Sequence, residues 1–165
     1  MKEDKVPGTN YIIFQDEEEF KYTTDSLILS SFVKSGKRVI DLGCGNGILF
    51  FRICNRFYEV HAVDKNKKVL ETLNKSIYIN KLEAKINLLE EDIFNLKSYY
   101  DTNYFDAVIF NPPYYDFDNI KFDTIEAKHF FDIEGSIKII NYLLKNSGSL
   151  YIIYPTYRLA ELIYK

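Results

Sequence analysis

The stretch that decides the fold of this chain is Val39-Ile-Asp-Leu-Gly-Cys-Gly-Asn-Gly47. A short apolar run contains one acid, Asp41, and leads into three glycines separated by single residues: Gly43, Gly45 and Gly47. Glycine adopts the positive φ of a tight turn and lets a ligand approach the backbone closely. The pattern predicts a buried strand that turns into a helix near residues 48–58, whose first N–H groups face a ligand carboxylate or phosphate.

The glycine spacing distinguishes this loop from a dinucleotide-binding turn. Such a turn has the pattern G-x-G-x-x-G, but the third position after Gly45 is Ile48, so this chain has G-x-G-x-G. A tight turn without any ligand is the alternative. Three glycines cost backbone entropy that a plain turn does not require, and this favours a ligand-binding loop.

Length and composition predict one globular domain. The chain has 165 residues, 47% hydrophobic and 27% charged, which suits a single ordinary core. The net charge is −3 and no long basic block is present, so tight nonspecific binding of phosphates is not indicated.

Cysteine usage and the apolar runs bear on the compartment. Cys44 and Cys54 have no C-x-x-C spacing and no histidine partners, so they predict free thiols, no metal site and a cytoplasmic protein. The polar start and the absence of any run of about 18 apolar residues predict neither a signal peptide nor a membrane span.

The rest of the chain alternates between predicted strands and helices. A small hairpin and a helix come first: Tyr11–Phe14 with Phe20–Tyr22, then Thr24 or Asp25 to about Lys34. The later predicted strands are Glu59–Asp64, Ile86–Glu90, Phe105–Phe110 and Leu150–Tyr154, and the later helices are Asn66–Asn80, Asp132–Asn146 and Tyr157–Tyr164. The alternation predicts a doubly wound, mostly parallel α/β sheet. We expect one domain over residues 1–165, with the hairpin and first helix in 1–35 and the core sheet in 36–154.

An acid ends the strand that follows the glycine loop. Asp64 lies about 20 residues past the first glycine, where an acid accepts hydrogen bonds from the ribose hydroxyls of a nucleoside cofactor. The alternative is a cap for the next helix, although Asn66 is well placed for that task.

The second informative stretch is Asn111-Pro112-Pro113-Tyr114. A strand cannot continue through two prolines, so these groups face the crevice at the carboxyl ends of the strands, where open α/β sheets bind ligands. The Asn111 oxygen and the Pro112 carbonyl can each accept one N–H of an NH₂ group and so direct its lone pair. Tyr114 would stack on a planar target. A rigid Pro-Pro turn is the alternative.

The glycine loop resembles motif I of the Rossmann-like S-adenosylmethionine (SAM) methyltransferases, and Asn111–Tyr114 resembles motif IV of their NH₂-directed members. The resemblance implies catalytic roles for Asn111, Pro112, Pro113 and Tyr114. It implies that SAM is held by Asp41, Gly43, Cys44, Gly45, Asn46, Gly47, Asp64, Lys65, Asp92, Ile93 and Asn111. By position, the resemblance implies that Asp92 accepts a hydrogen bond from the adenine amine of SAM and that Ile93 packs on the adenine ring. The alternative is that Asp92 is an ordinary loop acid.

A narrower resemblance is to the tRNA adenine-N6 methyltransferases that act beside the anticodon of valine tRNA. It rests on residues 20–27 and on Glu126-Ala127-Lys128-His129, with Phe130 where that subgroup usually has Glu. The resemblance implies an RNA partner. Two alternatives stay open. One is a protein glutamine-amide methyltransferase, although such enzymes usually have a separate N-terminal domain and only about 38 residues precede the first core strand here. The other is a non-catalytic SAM-binding fragment.

Sheets of this methyltransferase type normally end with a further helix and an antiparallel strand pair. The 11 residues from Pro155 to Lys165 cannot supply them. We therefore expect a truncated form whose sheet edge near Leu150–Tyr154 pairs with a second copy in a homodimer. We also expect RNA binding weaker than SAM binding.

Overall fold

A computed structural model describes residues 2–15, 24–112 and 132–163. Strands are β1 (Lys2–Lys5), β2 (Ile12–Gln15), β3 (Gly36–Leu42), β4 (Phe57–Asp64), β5 (Ile86–Glu90), β6 (Phe105–Phe110) and β7 (Leu144–Ile152). Helices are α1 (Thr24–Phe32), α2 (Ile48–Ile53), α3 (Lys67–Ile79), α4 (Ile133–Leu143) and α5 (Ala160–Ile163), with short 3₁₀ turns at Cys54–Arg56, Ile93–Ser98 and Thr156–Arg158.

The main sheet has five parallel strands in the order β5-β4-β3-β6-β7. Apolar side chains cover both of its faces, which suits central strands that read as continuous hydrophobic runs. The β1–β2 hairpin and helices α1, α2 and α3 pack on one face, whereas α4 and the 3₁₀ turn Ile93–Ser98 pack on the other. The predicted Rossmann-like, doubly wound fold is confirmed.

The strand order reverses between β3 and β6. The chain runs from β3 outward to β4 and β5, and then returns to the other side of β3 as β6. Leu42 pairs with Phe110, so Gly43 and Asn111 leave adjacent strands at the same edge of the sheet. Such a reversal creates a crevice at the carboxyl ends of the strands, where ligands bind in open α/β sheets.

The first strand of the chain is one that the sequence analysis missed. Residues 12–15 pair antiparallel with β1, whose four residues Lys-Glu-Asp-Lys have low β propensity. The other edge of β2 is held by α3, because Ile12 N–H donates to Asn80 Oδ1 (3.0 Å) and Phe14 N–H donates to Ser76 Oγ (2.9 Å). The predicted partner, Phe20–Tyr22, lies outside the described residues.

Two predicted helix ends are wrong. The helix after the glycine loop stops at Ile53, because a 3₁₀ turn follows and β4 already begins at Phe57 rather than at Glu59. Helix α4 ends at Leu143, since Leu144 has an extended backbone and starts β7. Residues 145–148 fall instead within the register shift of β7.

The predicted starts of α3 and α4 match the structure. Asn66 caps α3 by accepting hydrogen bonds from the N–H groups of Lys68 and Val69, and Asp132 caps α4 by accepting one from the N–H of Gly135.

None of the helices in the described part of the chain has the length and apolar character needed to cross a membrane. Strand β7 pairs only with β6 among the strands described, and edge pairing with a second copy stays a prediction.

Candidate functional site

The glycine loop after β3 divides into an open half and a packed half. All three glycines have positive φ: 65° at Gly43, 51° at Gly45 and 80° at Gly47. Among the described residues, a Cβ on Gly43 or Gly45 would meet no atom within 4 Å, whereas a Cβ on Gly47 would lie 2.6 Å from the Leu73 side chain. The first two glycines thus border open space, and the third packs against the core.

Backbone hydrogen bonds fix this loop. Cys44 N–H donates to Val63 O (3.0 Å), and Gly47 N–H donates to Cys44 O (2.9 Å). The first N–H group of α2, on Ile48, donates to Asn46 Oδ1 (3.2 Å). The expectation that the first N–H groups of this helix face a ligand is therefore wrong for Ile48, because the loop itself uses that donor.

Asp41 is a buried carboxyl group beneath the loop. Its side chain is 1% exposed, and neither oxygen has a hydrogen-bond partner among the described residues. Burial, and after it the nearby negative charge of Asp64, raise the pKa of Asp41 to about 8. The N–H of Phe50 partly offsets this increase without completing a hydrogen bond. A cationic ligand would relieve this cost of desolvation.

A second unpartnered polar group lies in the same loop. The Asn46 Nδ2 group is buried, and it has no acceptor among the described residues. Cys44 is also buried, and burial raises the pKa of its thiol well above the usual value. Cys44 therefore carries a buried, protonated thiol, and its role in holding a cofactor stays a prediction, whereas Asp41 and Asn46 offer an acceptor and a donor.

Asp64 ends β4 beside the glycine loop. Its Oδ2 accepts the Gly45 N–H (3.0 Å) and its Oδ1 accepts the Asn66 N–H (2.9 Å). Because each carboxylate oxygen has two lone pairs, both oxygens retain one acceptor position. Helix α3 is capped by Asn66, so Asp64 does not cap it. The neighbouring Lys65 is exposed.

Asp92 and Ile93 lie just past the end of β5, and both are half-buried. Asp92 caps the 3₁₀ turn, since its Oδ1 accepts the N–H of Phe94 (3.0 Å). Ile93 packs against the core on the α4 side of the sheet. Asp92 thus has the local capping role of an ordinary loop acid, and a role toward an adenine amine stays a prediction.

Asn111 follows β6 and contacts helix α1. Its Nδ2 donates to Ser26 Oγ (3.2 Å), and Ser26 is 5% exposed. Pro112 is buried. Pro113 and Tyr114 lie outside the described residues, as do residues 126–129. Gly43, Asp64, Asp92 and Asn111 all lie at the carboxyl ends of adjacent strands, at one edge of the sheet.

Ser26 is the residue of this edge that the sequence analysis did not single out. A signal is present in the sequence, because Ser26 lies at helical spacing with Leu29, on the buried face of α1, and with Val33, just past its end. A polar residue on an apolar face needs a partner. Its partner is 85 residues away along the chain, and a local pattern cannot identify it.

A shallow cavity of about 260 Å³ lies elsewhere. It is lined by Lys97, Ser98, Tyr99, Tyr100, Asp101 and Tyr104. These residues precede β6, so the cavity lies near the amino end of that strand, away from the glycine loop. Within the described ranges, no group of three His, Cys, Asp or Glu side chains is placed to hold a metal ion.

The state of Asp41 leads to a testable dependence of stability on pH. The folded protein keeps this proton up to about pH 8, whereas an unfolded chain releases it near pH 3.9. The ligand-free protein therefore loses free energy of unfolding as the pH rises through this window. Asp41→Asn, which stays neutral, should be more stable than the wild type at pH 8 by at least about 1 kcal/mol, the equivalent of one pKa unit.

Thermal unfolding of the ligand-free protein at pH 4.5 and pH 8 measures this effect. The matched control is Asp101→Asn, at an exposed position. The gain of Asp41→Asn should shrink towards pH 4.5, and the control should show no such trend. An Asp41→Asn variant less stable than the wild type at pH 8 would show that the carboxyl group has a partner in the folded protein.

The sheet order and the glycine loop define a class of protein: the chain has the Rossmann-like fold of class I SAM-dependent methyltransferases. Residues 33–165 match the family described as a methyltransferase domain. The chain belongs to this family.

Two curated relatives carry the name tRNA1(Val) (adenine(37)-N6)-methyltransferase. The protein of Tolumonas auensis is 30% identical over 108 residues, which cover 62% of this chain and 44% of the relative. That of Dyadobacter fermentans is 23% identical over 153 residues, which cover 88% and 62%. The chain thus spans less than two thirds of either relative.

A solved structure shows the same fold. A Streptococcus mutans protein in complex with SAH has a TM-score of 0.56 and 22% identity, and the match covers 78% of this chain and 69% of that protein.

Proposed function

We propose that this chain is a SAM-dependent N-methyltransferase whose target is an exocyclic NH₂ group, N6 of an adenine in tRNA. The observation that carries the proposal is the position of Asn111 and Pro112 at the carboxyl end of β6, beside the glycine loop. The choice of an adenine in tRNA is supported by the names of the two relatives, at 30% and 23% identity.

The residues at this edge of the sheet fit the amino-acid end of SAM. That end is a zwitterion, and the loop offers a buried carboxyl group on Asp41 and a buried amide donor on Asn46, both unpartnered among the described residues. An ammonium group would satisfy Asp41, and a carboxylate would accept from Asn46. Gly43 and Gly45 leave open space above the loop.

The nucleoside end would lie against the next two strands. Asp64 is held by two backbone N–H groups and keeps an acceptor position on each oxygen for the ribose hydroxyls. Asp92 and Ile93 follow β5. There Asp92 would accept a hydrogen bond from the adenine amine, and Ile93 would pack on the adenine ring.

SAM, when bound, supplies an electrophilic methyl group. The chain's part in the reaction is to present the nucleophile, because an amine conjugated to a ring is a poor one. The Asn111 oxygen and the Pro112 carbonyl each accept a hydrogen bond from one N–H of the amine. These two bonds direct the lone pair of the amine nitrogen towards the methyl group. Proline suits the second position because it offers an acceptor without a competing donor. A strong general base is not required, since the amine becomes acidic as the bond forms.

Asp64 gives the most direct test of the cofactor position. Asp64→Ala should weaken SAM binding by roughly 1–3 kcal/mol, because polar partners are left unpaired. Isothermal titration calorimetry with SAM measures the loss, and NAD should give no response with the wild type. The control is Lys67→Ala, an exposed residue of the same region. Equal SAM affinity in both variants would remove Asp64 from the ribose site.

The proposed substrate is tested by a mass-spectrometric survey of modified nucleosides. The protein is incubated with SAM and with tRNA that lacks modifications, and the digested RNA is compared with a reaction containing Asn111→Ala. We expect N6-methyladenosine in the first reaction and about one hundredth of it or less in the second.

Two parallel reactions separate the alternatives. A release factor replaces the tRNA in one, and methylation of its glutamine instead of RNA would favour the protein amide reaction. The second experiment is a binding measurement, calorimetry with SAM. SAM binding without methyl transfer to either substrate would favour a non-catalytic SAM-binding chain.

A further inference from the structure

One hydrogen bond joins helix α1 to the end of β6 at the proposed site. Asn111 Nδ2 donates to Ser26 Oγ at 3.2 Å, and Ser26 is almost completely buried. We propose that Ser26 is a positioning residue, which sets the orientation of the Asn111 carboxamide for methyl transfer. This inference rests on the function proposed above, and it adds a residue outside the sheet to that site.

The chemistry of the carboxamide makes its orientation important. The oxygen and the NH₂ group have nearly the same shape, but only the oxygen can accept a hydrogen bond from the target amine. A carboxamide turned by 180° would place one NH₂ group against another and leave donors unpaired. In the structure the nitrogen end is bound by Ser26. With the nitrogen end on Ser26, the proposal assigns the oxygen end to the target amine.

Helix α1 is a firm support for this contact. Leu29 and Val33 anchor it in the core. Two arginines fix it to the neighbouring elements: Arg52 Nε donates to Ser30 Oγ (2.6 Å), and Arg56 Nη1 donates to the carbonyls of Ser30 (3.0 Å) and Val33 (2.6 Å). Arg52 also donates to the Pro7 carbonyl, which ties the helix to the hairpin.

The other two serines of α1 donate to carbonyls of their own helix, and Ser30 also accepts from Arg52 of α2. Ser30 Oγ donates to Leu27 O (2.7 Å), and Ser31 Oγ donates to Ile28 O (2.6 Å). Of these three side chains, Ser26 is the one that contacts Asn111 at the end of β6, 85 residues along the chain. Helix α1 therefore provides two matched controls: Ser30, which is buried and structural, and Ser31, which is exposed.

Steady-state kinetics of Ser26→Ala with tRNA and SAM tests the proposal. We expect kcat to fall about tenfold, the effect of losing one orienting hydrogen bond, with the KM for SAM unchanged. Ser31→Ala should match the wild type. Ser30→Ala should lower the unfolding temperature but leave kcat within about twofold, because its contacts do not reach Asn111.

The double variant separates positioning from a merely structural role. If Ser26 acts through Asn111, adding Ser26→Ala to Asn111→Ala should cause no further loss of turnover, whereas independent effects would multiply. Multiplying effects would overturn the proposal. Wild-type kcat in Ser26→Ala would also overturn it, provided that Asn111→Ala is inactive. Turnover that survives in Asn111→Ala instead overturns the proposed function.

A second measurement does not depend on turnover. The side-chain ¹⁵N–¹H₂ signals of Asn111, assigned by their loss in Asn111→Asp, report the environment of its amide. We expect these signals to shift in Ser26→Ala and to stay in place in Ser31→Ala. Unchanged signals in Ser26→Ala would show that the bond to Ser26 does not orient the amide, and the proposal would fail.

Discussion

Replacing Asn111 with alanine should reduce methyl transfer by about two orders of magnitude or more, as when one preorganised polar group is deleted from an active site. SAM affinity should stay within about threefold, because the main contacts proposed for SAM are in the glycine loop, Asp64 and Asp92. Radiolabelled methyl transfer into unmodified tRNA measures turnover, and calorimetry measures SAM binding.

The control for this variant is Asn87→Ala, at an exposed position on β5. It removes the same side chain from the same sheet, away from the crevice, and should keep the turnover of the wild type. Loss of SAM binding in parallel with turnover would place Asn111 in the cofactor site alone. Normal turnover in Asn111→Ala would exclude the amine-holding role.

The largest effect on stability should come from Gly47→Ala. The added Cβ would lie 2.6 Å from Leu73 Cδ1 and 2.7 Å from the Phe50 ring, at a φ of 80°. Left-handed strain costs about 1–2 kcal/mol and overpacking of a core about 1–3 kcal/mol. We expect the free energy of unfolding to fall by about 3 kcal/mol, measured by urea denaturation.

Gly45→Ala is the matched variant in the same loop. Its φ is 51°, but its Cβ would meet no atom of the described part of the chain within 4 Å. The loss of stability should therefore be limited to the strain, about 1 kcal/mol. SAM binding should nevertheless weaken, because the methyl group would occupy the space proposed for the ligand. Equal destabilisation by the two variants would contradict the division of the loop into an open and a packed half.

Much of the sheet could be predicted because its signals are local. Strands β5 and β6 match the predicted ranges, since each is a short apolar run bounded by polar residues. Helix α3 matches because its cap and its apolar spacing lie in one stretch. The glycines indicated a turn for the same reason, as only glycine adopts positive φ without strain.

The features that could not be predicted depend on distant partners. Strand β1 has a charged sequence and exists because β2 pairs with it. The register shift in β7 accompanies an ion pair between Lys145 Nζ and Asp106 Oδ1 (2.6 Å). These two residues are 39 positions apart in the sequence. The contact of Ser26 with Asn111 and the unpartnered state of Asp41 likewise follow from packing, which no spacing rule expresses.

The attachment of β2 to helix α3 has a consequence for biosynthesis. The hairpin leaves the ribosome before its support, because Ser76 and Asn80, which hold it, follow 62 and 68 residues after the positions they bind. Because translation adds about 5–20 residues per second, the hairpin waits several seconds for its support. During that interval Ile13, which is completely buried in the finished protein, is open to solvent and to chaperones. The hairpin is therefore synthesised before the helix that holds it and can be locked in place only after Asn80 has emerged.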